Sequence, residues 1–247
     1  MIEFKEASML MTRVVGLETE PVGVFLLDSR DDRAESTFTR ASGRRYCQAL
    51  MRARQGESIL LTAEDLTCPA AAAAFGFRPL PEGLANGKGL VGFGIVSESA
   101  TGRNMFAGMS RLKPGSISAI AAAPLSSVKS IPDVIIVEGR PEALMWLALA
   151  DLNVGGGVRR HGDTAILQAT CVDATIIPFL EQRLNFSLGC YGCREATDLG
   201  ADETVLGFPG ANLEAILKAL ILLRDKAIPR SRAKGPFAAL REYDDRI

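Results

Sequence analysis

The run Asp133-Val134-Ile135-Ile136-Val137-Glu138 limits what this chain can fold into more than any other stretch. Its four central residues are all β-branched and apolar, with no polar residue between them. A strand of that kind is buried on both faces rather than half exposed. Gly139-Arg140-Pro141 then turns straight into a helix predicted over residues 141–152, apolar on nearly every side. Proline is accommodated at the first helical position, where its missing N–H would have no partner anyway. This strand and helix form the structural centre of the second half of the chain.

The remaining elements are read from periodicity and breakers. Phe4, Ala7, Leu10, Met11, Val14 and Val15 recur at helical spacing and Gly16 stops them, predicting a helix over residues 3–15. Residues 21–27 read as a buried strand with Pro21 at its start. A second helix is predicted over residues 44–55, with Cys47, Leu50, Met51 and Arg54 on one face, followed by a strand at residues 58–62. Pro69 opens a helix of alanines, which makes Cys68 the residue before it, at the cap. Residues 76–99 are glycine-rich and read as a loop or a flap over a ligand, with a strand at Gly92-Phe93-Gly94-Ile95-Val96. Gly87, Gly89 and Gly92 satisfy G-x-G-x-x-G, but no strand precedes them, so the dinucleotide fingerprint is not met.

A short helix over residues 101–112 and a strand over 116–123 follow. Residues 165–170 read as a strand ending at Cys171. Asp173 is placed to cap a helix reaching Arg183, with Pro178 limiting it. Residues 185–189 and 203–208 are further strands, and a long amphipathic helix starts at Gly210 and Asn212. After Pro229 the tail reads as loosely held. Strands and helices mix without strict βαβ alternation. The fold class is therefore α+β with a mixed sheet packed by helices, α/β being the alternative. One domain of 247 residues is expected, with a soft boundary near residues 126–132.

Net charge is −1, without the basic surplus that nucleic-acid binding requires. No apolar run approaches the length of a membrane span, and acidic residues lie where a signal peptide would be basic. The expectation is a cytoplasmic protein acting on a small molecule or metal, without nucleic-acid or membrane partners.

The five cysteines are the chemically interesting residues. In a reducing compartment an odd number argues against a disulfide framework. They are either small buried apolar residues or thiols in use. Cys47 falls in the first turn of a helix, Cys68 at a cap, Cys171 between a strand and the Asp173 cap, and Cys190 at a strand end. Element junctions are where side chains meet a site. Helix N-termini would favour thiolate at Cys47, Cys68 and Cys171. Cys190-x-x-Cys193 is the only local pair, so zinc-ribbon and ferredoxin spacings are both absent. A thioredoxin-type reading would need a long helix starting at the pair, and residues 194–203 look like a loop.

A second set is Arg140, Arg159 and Arg194, in glycine-containing turns that could present guanidinium and backbone N–H groups to a small anion. Arg160 and the lone histidine, His161, share the loop of Arg159, and His161 reads as a solvated loop residue.

Several segments together resemble the DUF169 family. They are Pro21-Val22-Gly23-Val24, the Cys47 helix, and Thr62-Ala63-Glu64-Asp65 leading to Cys68-Pro69. Pro132-Asp133-Val134-Ile135-Ile136, Cys171, Ser187-Leu188-Gly189-Cys190-Tyr191-Gly192-Cys193-Arg194 and Gly207-Phe208-Pro209 complete the set. The resemblance implies one full-length domain and carries no assigned activity. Two departures stand out: alanines where glycines are expected after Cys68-Pro69, and Cys193 where the family carries a small residue other than cysteine. The second shifts attention from the C-x-x-C pair to Cys47, Cys68, Cys171 and Cys190. These four are the expected ligands of an iron–sulfur cluster or zinc, with a redox role. The alternatives are an anion-binding module using Arg140, Arg159 and Arg194, and a thiol enzyme using Cys190 or Cys68.

Overall fold

The computed structural model describes residues 3–33, 38–158, 162 and 167–233. At its centre is a seven-stranded mixed sheet. The strands are β1 (Val22–Leu27), β2 (Thr39–Arg40), β3 (Ile59–Thr62), β4 (Ala119–Pro124), β5 (Val134–Gly139), β6 (Asn185–Ser187) and β7 (Thr204–Pro209). Their spatial order is β2-β3-β4-β1-β5-β7-β6, and every pairing is antiparallel except β2 with β3. The two edge strands are the shortest, which limits the unpaired backbone offered to other chains. The α+β expectation is met.

The sheet is covered on both faces, so the apolar strands hide a period of two. On β5, Val134 and Ile136 enter one core while Ile135 and Val137 enter the other. On β1, Val22, Val24 and Leu26 oppose Phe25 and Leu27 in the same way. The second core is built by three helices, α1 (Phe4–Val15), α7 (Pro141–Val154) and α10 (Leu213–Asp225). Gly16 ends α1 in the left-handed conformation, φ 78°, and its N–H reaches the Thr12 carbonyl at 2.9 Å.

The first core lies under α2 (Tyr46–Arg54), α3 (Pro69–Ala74), three short helices α4 (Glu82–Ala85), α5 (Lys88–Gly92) and α6 (Ser99–Ala107), and a π-helix at Ala169–Ile176. The π-helix continues as α8 (Ile177–Glu181), and α9 (Tyr191–Ala196) follows β6. The last described helix is α11 (Ala227–Ala233). Among the described residues no helix is long and apolar enough to cross a membrane.

Five local expectations are corrected. The strand expected at Gly92–Val96 is instead the end of α5 and a turn. Glycines there build helix contacts: a Cβ on Gly87 would lie 2.0 Å from the Ser99 carbonyl oxygen, so α5 and α6 can meet only at glycine. The strand expected before Cys171 is replaced, in its described part, by Gln168 at φ 58° and the start of the π-helix. A short apolar run does not distinguish buried strand from buried helix.

Asp173, expected as an N-cap, sits inside that π-helix. It accepts a hydrogen bond from Ser187 Oγ at 2.9 Å, while its carbonyl accepts one from Asn185 Nδ2 at 2.8 Å, tying the π-helix to β6. The helix also ends at Glu181, short of Arg183, with Gln182 left-handed at φ 50°. After Pro229 the chain stays helical to Ala233, and Arg232 reaches Glu142 and the Val15 carbonyl.

Candidate functional site

The elements over the first core converge on one cavity of about 560 Å³ lined by all five cysteines. Each thiol arrives by its own route. Cys47 is the second residue of α2, so its side chain leaves the helix at the end facing α9. Cys68 occupies the position before Pro69, which sets it at the start of α3. Cys171 is carried by the π-helix, whose wider turn is held by the Thr175 hydroxyl donating to the Thr170 carbonyl at 2.6 Å. π-helical turns recur at functional sites because they re-aim neighbouring side chains. Cys190 caps α9, and its sulfur accepts the Cys193 N–H at 3.3 Å.

Within the C-x-x-C pair the two Sγ atoms are 3.1 Å apart. Cys193 also contacts Thr170 Oγ1 at 2.7 Å and is reached by the Cys47 thiol. Cys193 was the cysteine the family pattern made dispensable; in the structure its sulfur is the meeting point of three others' polar contacts. The helix that starts at this pair has six residues, so the first three residues of the loop expected over residues 194–203 are helical, and the element remains far shorter than a thioredoxin helix.

The expectation of a ready thiolate is not met at Cys171. Burial pushes Cys171 well up from the ordinary thiol range, and neighbouring sulfurs add to it. Cys190 is raised by the hydrogen bond it gives to Cys193 and then by burial. For Cys193, the bond from Cys190 lowers the value. The bond with Cys47 and burial outweigh it, and the thiol is pushed up to about 11. The inner sulfurs therefore share protons with one another at neutral pH, and a first thiolate formed there would be held by its neighbours.

Arg45, which precedes α2, closes one side of the cavity. Its Nη1 donates to the Gly192 carbonyl at 3.0 Å and pairs with Glu195 at 2.9 Å. Gln48 Nε2 donates to the Ala196 carbonyl at 3.1 Å. These bonds clamp α2 to α9 and so set Cys47 against Cys193. Sequence reasoning missed Arg45, although its place just before the Cys47 helix was a usable signal.

Two of the arginines expected to hold an anion, Arg140 and Arg194, are engaged with other partners. Arg140 is exposed and pairs with Glu18 and Asp202, both at 3.1 Å. Arg194 donates to the carbonyls of Gly200, Leu188 and Glu203, bracing the turn that presents Cys190. Arg159, with Arg160 and His161, lies outside the described residues. Cys47, Cys68, Cys171 and Cys190, expected as metal ligands, do come to one cavity. Among the described residues, however, no group of three or more His, Cys, Asp and Glu side chains is arranged to hold a metal ion.

The fold and site define a helix-covered mixed-sheet protein with a cysteine-lined cavity. The chain belongs to the DUF169 family, described as uncharacterised ArCR, whose model matches residues 10–219. It is similar to the uncharacterized protein MJ0308 of Methanocaldococcus jannaschii, at 29% identity over 220 residues that cover 88% of this chain and 94% of that protein. No solved structure matches it.

Proposed function

We propose that this is a thiol redox protein in which Cys190 and Cys193 cycle between dithiol and disulfide against a molecule held in the cavity. The observation that carries the reading is the 3.1 Å Sγ–Sγ distance at the start of α9. Closing it to a bond of about 2.05 Å needs movement of only about 1 Å. Oxidation removes two electrons and two protons from the pair, and a bound two-electron acceptor takes them. In a reducing compartment such as the cytoplasm the resting form is the dithiol.

The convergence of all five cysteines favours one second reading. Here Cys47, Cys68, Cys171 and Cys190 would ligate an iron–sulfur cluster or zinc, exchanging thiol protons for metal. Thiolate sulfur suits both.

Anaerobic purification with iron, zinc and acid-labile sulfide measured against protein separates the two. The redox reading expects little metal and the loss of about two titratable thiols per chain on mild oxidation. It also expects that loss to disappear in Cys190→Ser and Cys193→Ser. Metal near one equivalent per site, or a thiol loss unchanged in both variants, sinks the redox reading.

A further inference from the structure

We infer that the molecule exchanged at this dithiol is a small, uncharged, mainly apolar disulfide, and not a protein or a strongly charged one. The inference rests on the dithiol reading and names the substrate class of the same site. Three features carry it.

The reacting sulfurs are inside. Cys190 is 9% and Cys193 4% exposed, and both face the cavity. A disulfide embedded in another protein brings its own backbone and cannot follow them into about 560 Å³.

The walls are apolar. Ala70 and Ala71 of α3 form one side, and Leu84, Leu90 and Phe106 from the glycine-joined helices α4–α6 form the cover. Such walls hold a ligand by removing apolar surface from water.

The ionic groups among the described lining residues are Arg45 and Glu195, and they pair with each other at 2.9 Å. A ligand with several charges would have to break that pair and shed its own hydration without replacement.

The exchange balances without another reactant. Cys193, whose thiolate would be held by hydrogen bonds from Cys190 and Thr170, attacks one sulfur of the bound disulfide. The ligand's S–S bond breaks, and the departing thiolate takes a proton and leaves as a thiol. Cys190 then loses its proton and attacks the Cys193 sulfur, which releases the second thiol. Two electrons pass from the dithiol to the ligand, leaving the Cys190–Cys193 disulfide and two ligand thiols.

The test uses full-length reduced protein under anaerobic conditions. Probes are 4,4′-dithiodipyridine as the neutral aromatic disulfide, oxidised glutathione as the charged one, insulin as the protein one and hydrogen peroxide as a size control. Formation of the Cys190–Cys193 disulfide is followed by mass spectrometry, and each disulfide's rate is divided by its rate with free dithiothreitol. The neutral disulfide is expected to exceed glutathione and insulin by at least about tenfold on that scale. Ala70→Phe should slow the neutral disulfide by a larger factor than it slows peroxide, which needs far less room. Equal or faster reaction with glutathione or insulin, or an Ala70→Phe variant unchanged toward the neutral probe, overturns the substrate class and leaves the dithiol reading standing. If no probe, peroxide included, joins Cys190 to Cys193, the dithiol reading itself fails.

Discussion

The Thr170 hydroxyl lies 2.7 Å from the Cys193 sulfur, so the π-helix and the C-x-x-C turn share a polar contact inside an apolar wall. That contact lowers the Cys193 value, against the stronger upward push of the Cys47 bond and burial. Thr170→Val keeps the shape and removes the hydrogen bond. One such bond is worth about 1 kcal/mol, so the thiolate fraction of Cys193 should fall about fivefold. Iodoacetamide labelling of Cys193 against pH checks this. The curve should move to higher pH, and an unmoved curve would assign Thr170 a packing role only.

A second polar cluster sets a pH dependence. Arg54 of α2 is buried and pairs with Glu138 of β5 at 3.1 Å, Asp198 at 2.7 Å and Glu203 at 3.5 Å. Burial pushes Glu138 up to about 7; Arg54 opposes the rise, and Glu203 and Asp198 add to it. Its value in the unfolded chain is near 4.5, so between these values the folded state binds more protons than the unfolded state. Stability from this group therefore falls as pH rises from about 4.5 to about 7, by up to about 3 kcal/mol, and is level above that. Glu138→Gln should flatten this part of a denaturation series. A wild-type profile already flat between these limits would contradict the burial of a titrating carboxyl.

Arg194 is predicted to be a brace and not a ligand-binding residue. Its guanidinium spans the carbonyls of Leu188, Gly200 and Glu203. Arg194→Ala should lower stability by about 2 kcal/mol in urea unfolding, since bonds to a charged donor are the stronger kind. Arg194→Lys should not restore it, because one ammonium cannot span three carbonyls. Stabilisation of the wild type by phosphate or carboxylates that vanishes in Arg194→Ala would reverse this assignment.

Gly207 of β7 is where the sheet meets the π-helix. A Cβ there would lie 1.8 Å from the Ala174 carbonyl oxygen, a backbone atom that cannot swing aside as a side chain would. Gly207→Ala should cost about 3 kcal/mol or prevent folding, as overpacking a rigid contact does. A variant with wild-type thermal stability would show that the π-helix can back away from the sheet.

The frame was legible where residues left one physical option. The unbroken Val134–Val137 run had to be covered on both faces, and the two cores do that, Val134 and Ile136 entering one and Ile135 and Val137 the other. Gly16 and Pro69 marked helix limits that need a left-handed residue or a missing N–H, and both stand as read. The Cys171 segment was not legible, since its apolar run fits strand and helix alike and its ties to Ser187 and Asn185 are made by residues distant in sequence. At the site, junction placement brought out the right cysteines, but their protonation depended on burial and on neighbours distant in sequence. Cys193 shows the same limit: Thr170 and Cys47 give it its importance, and neither is near it in the chain.

The central claim is tested most directly by mapping disulfides in full-length protein equilibrated across a series of redox buffers. The account predicts that Cys190 and Cys193 join to each other in a single two-electron step, while Cys68 and Cys171 stay reduced through it. Cys190 and Cys193 remaining unjoined at every potential, or each pairing with another cysteine instead, would contradict it.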